Sequence, residues 1–395
     1  MKINKERLTK EAEKIEKILV RKQNKKGYEF EFQNVDAYDQ ILMSMGAPST
    51  NAIEKIFTIN QLVHINSAMD KGLIEICDFY NQNSNIIQLG LNNYEKILRK
   101  DDILAMTPTY ELKNITFPMF KDLLFEYYSQ YGNNIYKIVK KYVDEGRIQL
   151  GDTLDPTASG MFFGSNLTKS GYITVLKNKK LTLYTLSVLV HELGHAIDSE
   201  TLHFPQGKNI NLLSDIFVEV PSIHFEIGFL DFLMKNNINP NDAHALLDSM
   251  YQELSFYSQS FDKLCNLDEF YINDGGYVTN KDDKLIDYDG NEINEPELDE
   301  NDDCCLETQK AMDVTELLKY GLGMYIAMQS NELASQDRKA YIKDLLNFTT
   351  QRKESSFIES LQRLGISEEQ FTSASILEPR IQKELTYTKK MWNFK

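Results

Sequence analysis

Over most of the chain apolar positions recur every three or four residues, a spacing that predicts one helix after another. The first third opens on MKINKERLTKEAEKIEKILVRKQ, a charged helix, followed by KGYEFEFQN, whose alternation permits a short strand or an extended link. Ser49, after Pro48, caps a helix running through Ile53, Phe57, Leu62 and Met69. Pro118 suits the first turn of a helix over FPMFKDLLFEYYSQYG, which Gly132 ends. In this helix the stripe Phe117, Phe120, Phe125, Tyr127 and Tyr128 reads as packing rather than a binding box.

From Arg147 to Lys180 the pattern changes to Gly, Ser and Thr with short apolar alternation, as in GYITVLKN, and predicts a small sheet. Gly160 and Gly164 in this stretch read as ordinary turn or hairpin glycines, with close approach of a peptide as the alternative. Helical spacing then returns through LTLYTLSVLVHELGHAIDSE, DIFVEVPSIHFE, IGFLDFLMKNN as far as Asn239 and Pro240, and AHALLDSMYQELSFYSQSFDKL. Leu267 to Glu307 interrupts it as an insertion: two strand-like runs and Asp-Gly pairs at 274 and 289 predict a β-hairpin or three-stranded meander before an acidic tail. Thr315 to Ala334 is predicted helical, with Gly321 and Gly323 permitting close contact, and the polar helical remainder from Arg338 supports the fold.

The chemistry concentrates in Leu181 to Glu200, where H-E-x-x-H falls on an amphipathic helix. At about 100° per residue, His191 and His195 lie about 40° apart and Glu192 about 60° beyond, while Leu186, Leu189, Val190, Leu193 and Ile197 fill the opposite arc. Two imidazoles one turn apart can hold one zinc ion, and the Glu between them reaches the water on the metal rather than the metal. Gly194 leaves that flank of the helix flat. A third ligand is available at Glu219, which shares a helical face with Asp215, Ser222 and Glu226. Glu226 is placed to hydrogen-bond a ligating His through its second ring nitrogen. Pro221 lacks a backbone donor, so this helix starts near Glu219 or kinks. His224 points about 140° from Glu219 and is not read as a ligand. His64, His203 and His244 read as structural or solvated.

Composition and charge narrow the class. With 42% hydrophobic residues, 395 residues can bury a large core as two lobes or one large domain. Net charge is −16, of which the segment from Asp282 to Glu307 holds −11, so nucleic acid and anionic membranes are not expected partners. The N-terminal segment lacks the apolar core of a signal peptide, and no apolar run has the length of a membrane helix. Four Cys, with Cys304 and Cys305 adjacent and no C-x-x-C, give neither a disulfide framework nor a thiolate site, so the chain reads as cytoplasmic. DYDGNE lacks the ligand spacing of a calcium loop and reads as a solvated turn.

HELGHAID followed by FVEVPSIHFE resembles the zinc oligopeptidases that include thimet oligopeptidase and oligoendopeptidase F. The resemblance spans roughly Asp144 to Leu385, less the insertion, and takes in ELLKYGLGMYIAMQ and SSFIESLQRLGI. It implies one zinc per chain on His191, His195 and Glu219, Glu192 as general base and Tyr320 as the tyrosine that meets the oxyanion, with Tyr325 the weaker match. It also implies a mainly α fold: a helical, two-lobed zincin-type peptidase with a small β-sheet beside the active-site helix. On this reading 1–145 is a lid-like N-terminal region and 146–395 the catalytic region, with the acidic insertion at about 267–307. In the family a strand before the active-site helix borders the cleft and pairs with substrate backbone.

Three features depart from the family's pattern. Asp198 stands where a further His is usual, no His follows His244 to assist the tyrosine, and the chain is short. The expected function is hydrolysis of short peptides by attack of metal-bound water. Alternatives are a zinc carboxypeptidase, a catalytically weak peptide-binding protein on the same scaffold, or a helical structural protein in which the motif is accidental.

Overall fold

The computed structural model describes residues 10, 68–99, 112–152, 160–165, 170–177, 181–201, 216–264, 316–351 and 356–392, with short strand segments between 271 and 305. The predicted first helix, the KGYEFEFQN link, the cap at Ser49, and His64 and His203 lie outside the described residues.

The most apolar helix lies in the middle. In α5 (Glu219–Lys235; α1–α4 are given below) Val220, Ile223, Phe225, Ile227, Phe229, Leu230, Phe232 and Leu233 are buried on every side, the signature of a helix enclosed by others. Its neighbours are α4 (Leu183–Thr201), α6 (Pro240–Leu264) and α7 (Gly323–Ala334). The predicted core arc of α4 is buried throughout, from Leu186 to Ile197.

Before α4 come α1 (Ala68–Leu98), α2 (Phe117–Ser129) and α3 (Asn133–Asp144). Pro118 falls in the first turn of α2, and Gly132, at φ 94°, forms the turn into α3 that a side chain would strain. Phe120, Tyr127 and Tyr128 are buried, as packing requires. Tyr127 donates to the Phe225 carbonyl at 2.7 Å and Tyr128 to the Val190 carbonyl at 3.1 Å, so α2 is fastened to both helices that carry the motif residues. One hydrophobic cluster runs from Phe79 on α1 to Leu385 near the C-terminus.

The predicted sheet is three-stranded, in the order β1 (Ile148–Asp152), β3 (Ser170–Lys177), β2 (Gly160–Ser165), with β1 parallel and β2 antiparallel to β3. The strands β2 and β3 pack on α4, so the edge strand β2 lies directly beside the motif helix.

The described part of the insertion carries more strands than its turn signals suggest. Four two-residue strands, β4 (Tyr271–Ile272), β5 (Val278–Thr279), β6 (Leu285–Ile286) and β7 (Glu292–Ile293), form an antiparallel meander, and β8 (Leu298–Asp299) pairs with β9 (Asp302–Cys305) in the expected acidic tail. The extra strands are too short to leave an alternation readable in sequence; pairing and the buried Ile286 define them instead.

The C-terminal helices α8 (Arg338–Gln351), α9 (Phe357–Arg363), α10 (Glu368–Ser373) and α11 (Glu378–Trp392) close the core. From α11, Arg380 grips both oxygens of Asp231 on α5 at 2.8 and 3.0 Å and donates to Tyr251 Oη on α6 at 2.7 Å. One turn on, His244 of α6 meets Glu384 at 3.0 Å and Thr388 at 2.9 Å, with the Tyr387 ring tilted against it and Asp248 at 3.4 Å. His244 is therefore a structural residue whose hydrogen-bond partners lie 140 and 144 positions away, which is why its role could not be read locally.

Burial raises the Asp248 pKa from 3.8 to about 6; the His244 charge opposes this, Glu384 adds to it and a Thr388 hydrogen bond opposes it. Because the folded chain keeps this proton longer than the unfolded one, the stabilising contribution is complete below about 3.8 and is lost as pH rises through about 6. Asp248→Asn is expected to melt higher than the parent at about pH 7, by at most about 3 kcal/mol, with the margin shrinking toward about pH 5. Melts at both values check this; a margin independent of pH would contradict it.

Candidate metal centre

The pair of His on α4 and the carboxylate on α5 meet because the two helices cross almost backbone to backbone. A Cβ on Gly194 would lie 2.4 Å from the Ser222 Cα, so only glycine permits the approach. The helix α5 begins at Glu219 with Pro221 in its first turn, where a missing N–H costs nothing and the helix N-terminus favours a carboxylate. Of the two sequence alternatives for Pro221, the helix start is the one adopted.

Glu219 Oε2 lies 3.1 Å from His191 Nε2 and 3.2 Å from His195 Nε2. A tetrahedral site with metal–donor bonds of ~2.0–2.1 Å has donor–donor edges of roughly 3.3 Å, so the two edges from Glu219 are of the size zinc takes. His191, His195 and Glu219 are the cluster of possible metal ligands among the described residues. The donor chemistry, two imidazole nitrogens and one carboxylate oxygen, also fits zinc.

A second set of contacts orients these donors. His191 Nδ1 meets Glu226 Oε2 at 3.0 Å, and Glu226 Oε1 accepts from Ser187 at 2.7 Å, which turns Nε2 of the imidazole toward the centre as the spacing predicted. Ser222 donates to Glu219 Oε2 at 3.0 Å, and Lys319 Nζ lies 3.1 Å from Glu219 Oε1. Burial pushes the Glu219 carboxyl up, but the His195 charge and hydrogen bonds from both imidazoles hold it well below the usual range. For His191 burial works downward, and the hydrogen bonds and charges of Glu219 and Glu226 raise the ring's pKa well above normal.

Glu192 is buried beside the imidazoles, and that burial raises its pKa against the pull of His191 and His195. Its room is set by the sheet: a Cβ on Gly160 would come within 2.6 Å of Val188 and 3.0 Å of Glu192 Oε1. Gly160 is thus neither a turn glycine nor a gap for a peptide. It is the point where β2 lies against the motif helix, a contact that local sequence could not disclose.

Tyr320 is half-buried, stacked on Tyr257 of α6 with ring centroids 6.4 Å apart, and within reach of the Glu219 and His191 charges. Its segment departs from expectation: Leu317–Leu322 forms a π-helix, which passes into α7 at Gly323. Tyr325 belongs to the core, donating to the Phe371 carbonyl at 2.5 Å. His224 is buried on the other side of α5, hydrogen-bonded to Ser330 at 2.9 Å, and burial depresses its pKa to about 3. Asp198 is buried. Residues without a sequence signal are Lys319 and, on α6, Glu253, whose pKa is raised by burial and by Glu226.

No family model matches the sequence, and no curated protein does. Among solved structures the chain is similar to a putative oligoendopeptidase F from Bacillus anthracis str. Ames, at 15% identity and a TM-score of 0.51 over 86% of this chain and 60% of that one. It also aligns with a putative peptidase from Chlamydophila abortus, at 15% identity and 0.47 over 97% and 63%, and with PZ peptidase A, at 11% and 0.47 over 86% and 64%. The chain therefore spans about 60% of the length of the Bacillus protein and shares its fold. This bears out the mainly α peptidase fold read from the resemblance.

Gly194→Ala gains helix propensity of ~1 kcal/mol but forces the crossing apart. The net expectation is a loss of about 1–3 kcal/mol by overpacking, together with weaker binding of any metal offered to the three donors. Thermal melts and chelator competition measure both, and a higher melting temperature with unchanged affinity would contradict so tight a crossing.

Proposed function

We propose that a chain with this fold and this donor set is a zinc-dependent metalloendopeptidase that hydrolyses short peptides. The observation carrying the proposal is the convergence of His191 Nε2, His195 Nε2 and Glu219 Oε2, with the Glu192 carboxylate beside them. One zinc ion per chain, held by those three donors, would supply Lewis acidity toward the scissile carbonyl and toward water.

The protein's own groups carry the protons. The Glu192 carboxylate accepts a proton from the attacking water and passes it to the leaving amine nitrogen as the C–N bond breaks. Its buried position against Gly160 keeps it out of bulk solvent and its raised pKa suits a group that must both take and give a proton. Tyr320 Oη is assigned as the donor to the oxyanion; burial raises its pKa, so the proton stays on the phenol. The edge strand β2 runs past Glu192, and a substrate laid along it in β-pairing would be held by main-chain bonds that do not read sequence.

The proposal includes the division into an N-terminal helical region, 1–145, and a catalytic region, 146–395, with α1–α3 sharing the core of the second. Cytoplasmic location is part of it too, supported by the cysteine usage; no described helix is long and apolar enough to cross a membrane.

Glu192→Gln is expected to retain one zinc per chain and to lose about 10²- to 10⁴-fold in peptide hydrolysis. Metal analysis with mass mapping of products from blocked peptides checks this. Activity surviving in the Gln variant would remove the base, cuts confined to the C-terminal residue would favour a carboxypeptidase, and metal without turnover in the parent would favour a binding protein.

A further inference from the structure

The two oxygens of Glu219 have different surroundings. Oε2 faces both imidazoles and accepts from Ser222, whereas Oε1 faces the Lys319 ammonium at 3.1 Å. The lysine comes from the π-helix Leu317–Leu322, with its Nζ also 5.0 Å from the Tyr320 ring centroid. This segment is pressed onto the ligand: a Cβ on Gly323 would sit 3.3 Å from the Glu219 Cβ. Lys319 is about one quarter exposed, at 28%, and Glu219 only 3%, so the lysine reaches inward from the rim to one chosen oxygen.

From this arrangement we infer that Lys319 is a positioning residue of the metal centre: it holds Oε1, so that Glu219 offers a cation Oε2 alone and a coordination place stays open for water. The inference rests on the metallopeptidase reading above. A carboxylate with both oxygens available can close on a cation through both and occupy that place; a carboxylate with one oxygen committed to an ammonium cannot. Charge compensation for buried Glu219 is the rival role. It also predicts tighter metal binding once the ammonium is removed, because a nearby ammonium repels a cation, but it predicts no change in coordination number, so the cobalt bands and kcat separate the two roles.

The test uses the full chain loaded with cobalt(II), whose visible bands weaken as coordination number rises, and with zinc for kinetics on a quenched peptide. Lys319→Met should bind one metal per chain at least as tightly as the parent, show weaker cobalt bands, and lose about 10- to 100-fold in kcat with KM nearly unchanged. Lys319→Arg, which restores a donor to Oε1, should return the parental spectrum and most of kcat. Parental bands and kcat in Lys319→Met would overturn the inference. So would metal binding and thermal stability lost together, which would leave the lysine a purely structural role. A parent that takes cobalt yet cuts no peptide would sink the peptidase reading while the spectra still decide the lysine's role; a parent that takes no metal would sink both.

Discussion

The crossing of α4 over α5 at Gly194 and Ser222 is the constraint from which the site follows. Two helices at ordinary separation leave a layer of side chains between their axes, and a carboxylate on one then meets imidazoles on the other only at the rim. Here the layer is missing at one point, since Gly194 has no Cβ and Ser222 presents its Cα. Glu219, one turn before Ser222, is brought under both His with its side chain almost wholly buried. The pair Glu226 and Ser187 repeats the contact one turn further along, so the helices are keyed on both sides of the crossing.

Burying Glu219 at that point is unfavourable unless its charge is answered, and the groups in contact with its oxygens answer it. Two imidazoles, a hydroxyl and an ammonium surround the two oxygens, with the positive end of α5 behind them. This local balance is independent of the chain's overall sign. The acidic excess sits in the insertion, where Lys284 and Glu292 pair on the surface, and an exposed pair of that kind contributes little. An inventory of net charge therefore says nothing of the site, while the contacts of one carboxylate say a great deal.

What could be read in the sequence were the features whose cause is local. The two His and the core arc of α4 follow from helical period, Pro221 narrows the course of α5 to a start or a kink, of which the start is taken, and the Glu226 contact follows from two turns of spacing after Glu219. What escaped was set by residues far away in the chain. Gly160 looks like a turn glycine until Val188 and Glu192 fill its empty side. His244 looks idle until α11 brings Glu384 and Thr388 to its two ring nitrogens. The four strands of the insertion's meander are two residues long, below the length at which alternation exists to be seen.

The π-helix at Leu317–Leu322 escaped for a different reason, and it shows how function presses on local structure. Helical period predicts an ordinary helix there, and in one the consecutive residues Lys319 and Tyr320 would diverge by about 100°. A wider turn reduces that angle: Lys319 meets Glu219 at 3.1 Å and Tyr320 lies within reach of the same carboxylate's charge. Such turns are intrinsically poorer than α-helix and persist where surrounding contacts hold them. Those contacts are present on both flanks: Gly321 admits the Tyr257 side chain and Gly323 admits Glu219. Two glycines that cost helix propensity thus make room for a turn that brings the Lys319 ammonium onto Glu219. With no His on this helix, Lys319 is the group it sends to Glu219, on the oxygen that the imidazoles leave.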